Sequence, residues 1–231
     1  MSDLNDSRPA RLAPLAGVAF AGLTTAGYLV MGKSPEPDAS VAAISRYWGP
    51  HHTGVHTAAI LLGYGALLFA LFGAALWVRI RAAKSGRFAG AVALAGTAVG
   101  TAGLLLSAMT YYTLGDIAAK STIVPSTLQA LHVLGSELSF PVAGGVELLL
   151  LSVAVAGISG RAFPRWLAWT ALVVGVLQLT AVGFTAFLVF LLWAAVAGLA
   201  LVLPAVRRSA ASAQLHRHRR SPLTDQKGRR P

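Results

Sequence analysis

Glu147 is the residue whose type and place most suggest chemistry. From Val142 to Ile158 the chain is apolar except for Glu147 and Ser152. On a helix rising 1.5 Å per residue, a carboxyl about eleven residues from the inner end of its span lies near the middle of a bilayer core about 30 Å thick. A carboxylate there costs at least about 2.5–3.5 kcal/mol unless it is protonated, paired or facing water. On an ideal helix Gln129, Ser136 and Glu147 share one azimuth, with His132, Ser139 and Ala143 close by. That is a polar stripe from the outer surface to the membrane core. One reading is a proton or ligand path ending at Glu147, with Gln178 of a neighbouring span at its end. The other is a neutral acid facing the bundle interior, hydrogen-bonded to Thr97, Thr101 or Gln178.

Histidines form the second constellation. His51, His52, His56 and His132 fall on the outer side together with Asp116 and Glu137. His52 and His56 stand four residues apart, the spacing at which two imidazoles on one helix face bind one metal. A third ligand from the fourth span, His132 or Glu137, would complete a zinc-type site, and His56 with His132 on facing helices could hold a haem. Against both, HHTGVH lacks the glutamate of a zinc-protease helix and no CxxCH occurs. One such pair supplies two ligands, whereas a structural zinc needs four and a catalytic zinc three plus water. The expectation is therefore solvated interfacial histidines, no stoichiometric metal and no cofactor.

Other chemistry is excluded more directly. The chain has no cysteine, which removes disulfides, thiolate metal sites, iron–sulfur clusters and a cysteine nucleophile. No GxSxG, phosphate-binding loop or dinucleotide fingerprint is present, and no soluble domain could host one. Serines and threonines within spans ordinarily bond back to their own helix.

The elements that must position these residues are membrane spans. Charged residues make up only 12% of the chain and hydrophobic ones 55%, about half the charge usual in a soluble domain. Apolar runs predict an all-α bundle of six transmembrane helices at 12–31, 56–78, 88–110, 128–158, 165–182 and 186–205. A barrel would instead show alternating segments of about ten residues. Sixteen of the nineteen Lys and Arg residues then fall on one side, and only Lys33, Arg46 and Lys120 on the other. Cytoplasmic loops retain Lys and Arg, so both termini are expected in the cytoplasm. A net charge of +11 marks inner loops and tail here rather than a nucleic-acid surface. Arg outnumbers Lys, and Ala, Gly and Val fill the spans, a composition associated with GC-rich bacterial genomes. The expected location is a bacterial plasma membrane.

Residues 1–11 read as a cytoplasmic segment, 12–205 as the membrane domain and 206–231 as a disordered basic tail contacting anionic lipid. Pro204 is expected to end the last span. In the first outer loop, Asp38 or Ser40 could cap a short amphipathic helix laying Val41, Ile44, Tyr47 and Trp48 on the bilayer surface. The fourth span is the longest, and Pro141 with Gly144 and Gly145 is where it would kink. Gly96 and Gly100 form a GxxxG match, expected to pack within the monomer before it serves a homo-oligomer.

The six-span layout, the segment SPEPDASVAAISRYWGPHH and the phrase Phe163-Pro164-Arg165-Trp166-Leu167-Ala168-Trp169 resemble a bacterial domain-of-unknown-function family of six-helix integral membrane proteins. The resemblance covers roughly residues 12–205 and implies topology, with no activity or catalytic residue to carry over. The functional expectation is a membrane protein that binds or moves a small apolar or protonated ligand near Glu147. The alternatives are a structural or partner-binding membrane protein, or a metal- or haem-dependent membrane enzyme using the outer histidines.

Overall fold

Among the residues described by the computed structural model (12–83, 86–118, 125–180 and 183–220, the last seventeen as backbone) all regular structure is helical. The segment 1–11 with Arg8 and Arg11, the inner-loop Lys84, the outer-loop stretch 119–124 with Lys120, the end of the predicted fifth span at 181–182 and the tail 221–231 lie outside the described residues. A 3-10 turn, Ala13–Leu15, leads into α1 (Ala16–Met31). There follow α2 (Val41–Ala82), α3 (Gly86–Ala118), α4 (Pro125–Glu137), α5 (Ser139–Ile158), α6 (Arg165–Gln178) and α7 (Gly183–Arg220). Among the described residues, five stretches are long and apolar enough to cross a membrane: Ala13–Met31, Val41–Ala82, Gly86–Ala118, Ser126–Ile158 and Thr185–Leu203. At 14 residues α6 is shorter than these.

The helices run alternately between two ends of one bundle. At the first end Arg79, near the close of α2, donates to the carbonyl of Leu201 in α7 at 3.1 Å. A Cβ added at Gly198 of α7 would lie 2.6 Å from the carbonyl oxygen of Pro14. At the opposite end Gly115 of α3 abuts His56 of α2, and His132 of α4 reaches the carbonyl of Glu36. Gly157 abuts Ala168, and Gly175 lies against Leu150 and Leu151, so α6 runs antiparallel to α5. Trp193 Nε1 donates to Thr170 Oγ1 at 3.2 Å, tying α7 to α6.

Small residues let these backbones approach, as expected where lipid removes the hydrophobic drive between helices. A Cβ on Gly96 would lie 2.7 Å from the Gly145 carbonyl oxygen, and one on Gly145 would overlap the Gly100 backbone. The GxxxG pair is therefore used between α3 and α5 of one chain. Aromatic rings fill the centre: Phe20, Phe69, Phe72 and Phe190 are fully buried, with Phe20 and Phe69 centroids 5.3 Å apart. The outward faces carry exposed Tyr64, Leu71, Phe88, Met109 and Leu192, an apolar exterior that water would not tolerate over so wide an area.

Two elements depart from the sequence reading, and a third, the fourth span, bends near Pro141 as that reading allowed. The first outer loop yields early to α2, which runs unbroken for 42 residues through Pro50, with Ser40 as its cap accepting from Ala43 N at 3.3 Å. Ile44 and Trp48 are fully buried against Val55, Leu114 and Leu128 rather than laid on a bilayer surface. The fourth span divides at Leu138 into α4 and α5. Pro141 has no N–H for the Glu137 carbonyl and its ring crowds that carbonyl, which accounts for the break. Finally α7 continues through Pro204 to Arg220, where a span end and an irregular tail were expected. Its sequence from 205 to 220 is rich in Ala and Arg, both strong helix formers.

Candidate functional site

Along α5 the residues Val142, Gly145, Val146, Leu149, Leu150 and Val153 are buried, whereas Phe140, Leu148, Val155 and Ile158 are exposed. Glu147 lies between these faces, half-buried, on a stripe with Phe140, Gly144 and Leu151. Leu151 touches the α6 seam at Gly175, and a Cβ added at Gly144 would meet nothing within 4 Å. The carboxyl thus stands at the lip of the α5–α6 seam, beside open space on the outward side.

Glu147 makes no hydrogen bond or ion pair with any described residue. Its expected partners are engaged or silent. Thr97 Oγ1 donates to the Ala93 carbonyl and Thr101 Oγ1 to the Thr97 carbonyl, each at 2.7 Å. Gln178 is only 7% exposed, and neither its Nε2 nor its Oε1 has a partner among the described residues. The α5–α6 register carries on from Gly157 against Ala168 and Gly175 against Leu150. One turn further it brings Gln178 level with Glu147. Glu147 is therefore a half-buried acid without a partner among the described residues, rather than a hydrogen-bonded one. Apolar side chains occupy the interior face, and the threonines are satisfied within their own helix.

No internal cation can pair with this carboxyl. The segments 88–119, 121–160 and 166–206 contain no Lys or Arg. Apart from a proton, charge compensation at Glu147 has to come from outside the bundle.

Of the rest of the stripe, Gln129, His132 and Ser136 lie on α4 and Ser139 and Ala143 on α5, across the single turn residue Leu138. Gln129 is half-buried. Ser136 donates to its own helix at Val133 O, 2.6 Å. His132 is 5% exposed, edge-on to Trp48 at 5.9 Å, with Nε2 3.4 Å from the Glu36 carbonyl.

The histidines of α2 form a rim of aromatic and polar contacts at this end of the bundle. Tyr47 donates to the Met31 carbonyl and stacks on His51 at 5.0 Å. His52 Nδ1 turns back to the Gly49 carbonyl at 3.0 Å. His56 packs on Tyr112 at 4.6 Å and sets Nε2 3.1 Å from Asp116 Oδ1, an ion-pair distance without hydrogen-bond angles. Asp116 is the partner that spacing alone did not single out, because it comes from the far end of α3. His132 points elsewhere and Glu137 is exposed. Among the described residues no three His, Cys, Asp or Glu side chains converge as a metal site. The geometry therefore does not gather His52, His56, His132 and Glu137 into one metal site among the described residues. Comparison with protein-family models, curated proteins and solved structures found no match to this chain.

Proposed function

We propose that this chain is a six-pass protein of a bacterial plasma membrane, with both termini cytoplasmic, that binds or moves a small apolar or protonated ligand at Glu147. The alternation of helix ends supports the topology: α5 stops at the end where α6 starts, and α7 begins at the other. This makes the short α6 a return through the bundle. The basic residues collect at one end of that path, as the positive-inside rule requires. Reporter fusions after Gly115 and after Arg208 are expected to read outside and inside. Two cytoplasmic readings would overturn the topology.

The observation that carries the functional reading is an unpaired carboxyl at the lip of an apolar seam, level with a buried, unpaired carboxamide. An ionisable residue inside a membrane without a protein partner is costly and marks a functional position by default. The test is labelling with N,N′-dicyclohexylcarbodiimide, which partitions into lipid and adds to protonated carboxyls reachable from it. An adduct at Glu147, absent in Glu147→Gln, is expected. A wild-type chain that stays unlabelled at Glu147 would end this reading.

A further inference from the structure

We infer that the ligand at Glu147 is a bulky monovalent lipophilic cation, such as an organic ammonium or phosphonium, which enters sideways from the bilayer and exchanges with a proton. The inference rests on the reading of Glu147 as a ligand site and adds the class of ligand.

Three observations converge on it. First, the carboxyl has no partner among the described residues, and the neighbouring helical segments contain no Lys or Arg. A carboxylate in an apolar setting needs a counter-charge, and here only a proton or an incoming cation can provide one. Second, the site opens outward. Gly144 leaves space within 4 Å of where its Cβ would be. Phe140 is 71% exposed and Leu148 38%, so a guest would slide in from lipid without crossing a polar surface. Third, Phe140 lies two turns from Glu147 on the same stripe, about 10 Å along the axis. A compact cation of aryl or alkyl groups spans that distance with its charge near the carboxylate. The phenyl ring then faces its body, where cation–π attraction adds to burial. A hydrated inorganic ion gains nothing from such walls, and an anion would be repelled.

The exchange balances simply. In the proposed exchange, the site without cation holds the proton on the Glu147 carboxyl. When the cation binds, that bond breaks, the proton leaves to water, and the carboxylate pairs with the cation, so the charge of the site is unchanged. No redox partner or covalent step is involved.

The test uses the full chain in nanodiscs of neutral phosphatidylcholine, with tetraphenylphosphonium as the probe in equilibrium dialysis. Saturable binding is expected, with about one proton released per cation bound and affinity rising with pH. Glu147→Gln should weaken binding at least about tenfold with unfolding temperature unchanged, and Phe140→Ala about threefold. Binding with no proton release, or binding indifferent to Glu147→Gln, would overturn the inference. If the carbodiimide labels Glu147 but tetraphenylphosphonium neither binds nor protects it, the cation class is wrong and the ligand site stands. If the carbodiimide leaves Glu147 unlabelled, both fall.

Discussion

Asp116 Oδ1 stands 3.1 Å from His56 Nε2, joining the last turn of α3 to the N-terminal half of α2. The two side chains are 51% and 26% exposed, so solvent screens the pair and it contributes at most about 1 kcal/mol. The tighter constraint is steric. A Cβ on the adjacent Gly115 would come within 2.8 Å of the His56 ring and 3.4 Å of the His52 carbonyl. Asp116→Asn should therefore lower stability by less than about 1 kcal/mol, and Gly115→Val by about 1–3 kcal/mol. Thermal unfolding of the purified protein would rank them. The reverse order would show that the ion pair, rather than packing, holds this rim.

Gly144 and Gly145 are neighbours in sequence with opposite tolerance. A Cβ at Gly145 overlaps the Gly100 backbone, and backbone cannot yield as a side-chain tip does. At Gly144 nothing lies within 4 Å. Gly145→Ala should cost about 2–3 kcal/mol or prevent folding. Gly144→Ala should be neutral or stabilise by up to about 1 kcal/mol, since Ala is the better helix former. Equal effects of the two changes would refute the α3–α5 packing described above.

What the sequence made legible followed from physics that is local along the chain. Apolar run length marked the helices from α1 to α7, and Pro141 marked the region of the break, because a missing N–H acts at a fixed distance along the backbone. Less local matters were misread. Trp48 and Ile44 fit an interfacial helix by pattern, and only Leu114 and Leu128, distant in sequence, reveal that they are core. The stripe from Gln129 to Glu147 crosses the turn residue Leu138, where the backbone stays in the α region and Leu138 N still bonds the Leu134 carbonyl. Apolar periodicity also hid the helix beyond Pro204, where propensity rather than amphipathicity was the signal. Glu147 itself was found from sequence, but its azimuth relative to α6 was not, because that depends on how Gly157 and Gly175 seat the two helices.

Replacing Glu147 distinguishes an unpaired acid from a structural one. A buried hydrogen-bonded acid would leave orphaned partners when changed to Leu, at a cost of about 1–3 kcal/mol. Here no described partner exists and the position faces partly outward. Glu147→Leu should therefore leave stability unchanged or raise it by about 1–3 kcal/mol, the cost of a polar group left without a hydrogen-bond partner. Denaturation in detergent micelles provides the measurement. A marked loss of stability in Glu147→Leu would restore a structural role for the carboxyl.

The basic C-terminal stretch provides the last prediction. From Arg207 onward the chain carries eight Lys and Arg residues and one acid, Asp225, and α7 extends as a helix to Arg220. In the topology proposed above this stretch lies at the cytoplasmic surface, where anionic lipid creates a negative potential. Each basic residue near that surface contributes about 1 kcal/mol at most, and the attraction decays within a Debye length of about 8 Å at physiological salt. A peptide spanning 205–231 should bind phosphatidylglycerol liposomes and ignore phosphatidylcholine ones. Binding should fall sharply between 0.1 M and 1 M salt, on the order of the Debye length shrinking from 10 to 3 Å. Truncation after Arg208 should leave the unfolding temperature of the membrane domain unchanged, because the buried Leu201 and Val202 and the contact of Arg79 with the Leu201 carbonyl all precede the cut. Binding that ignored lipid charge or survived high salt would rule out the electrostatic contact. Tighter binding to RNA than to anionic liposomes at equal salt would reassign the stretch to nucleic acid.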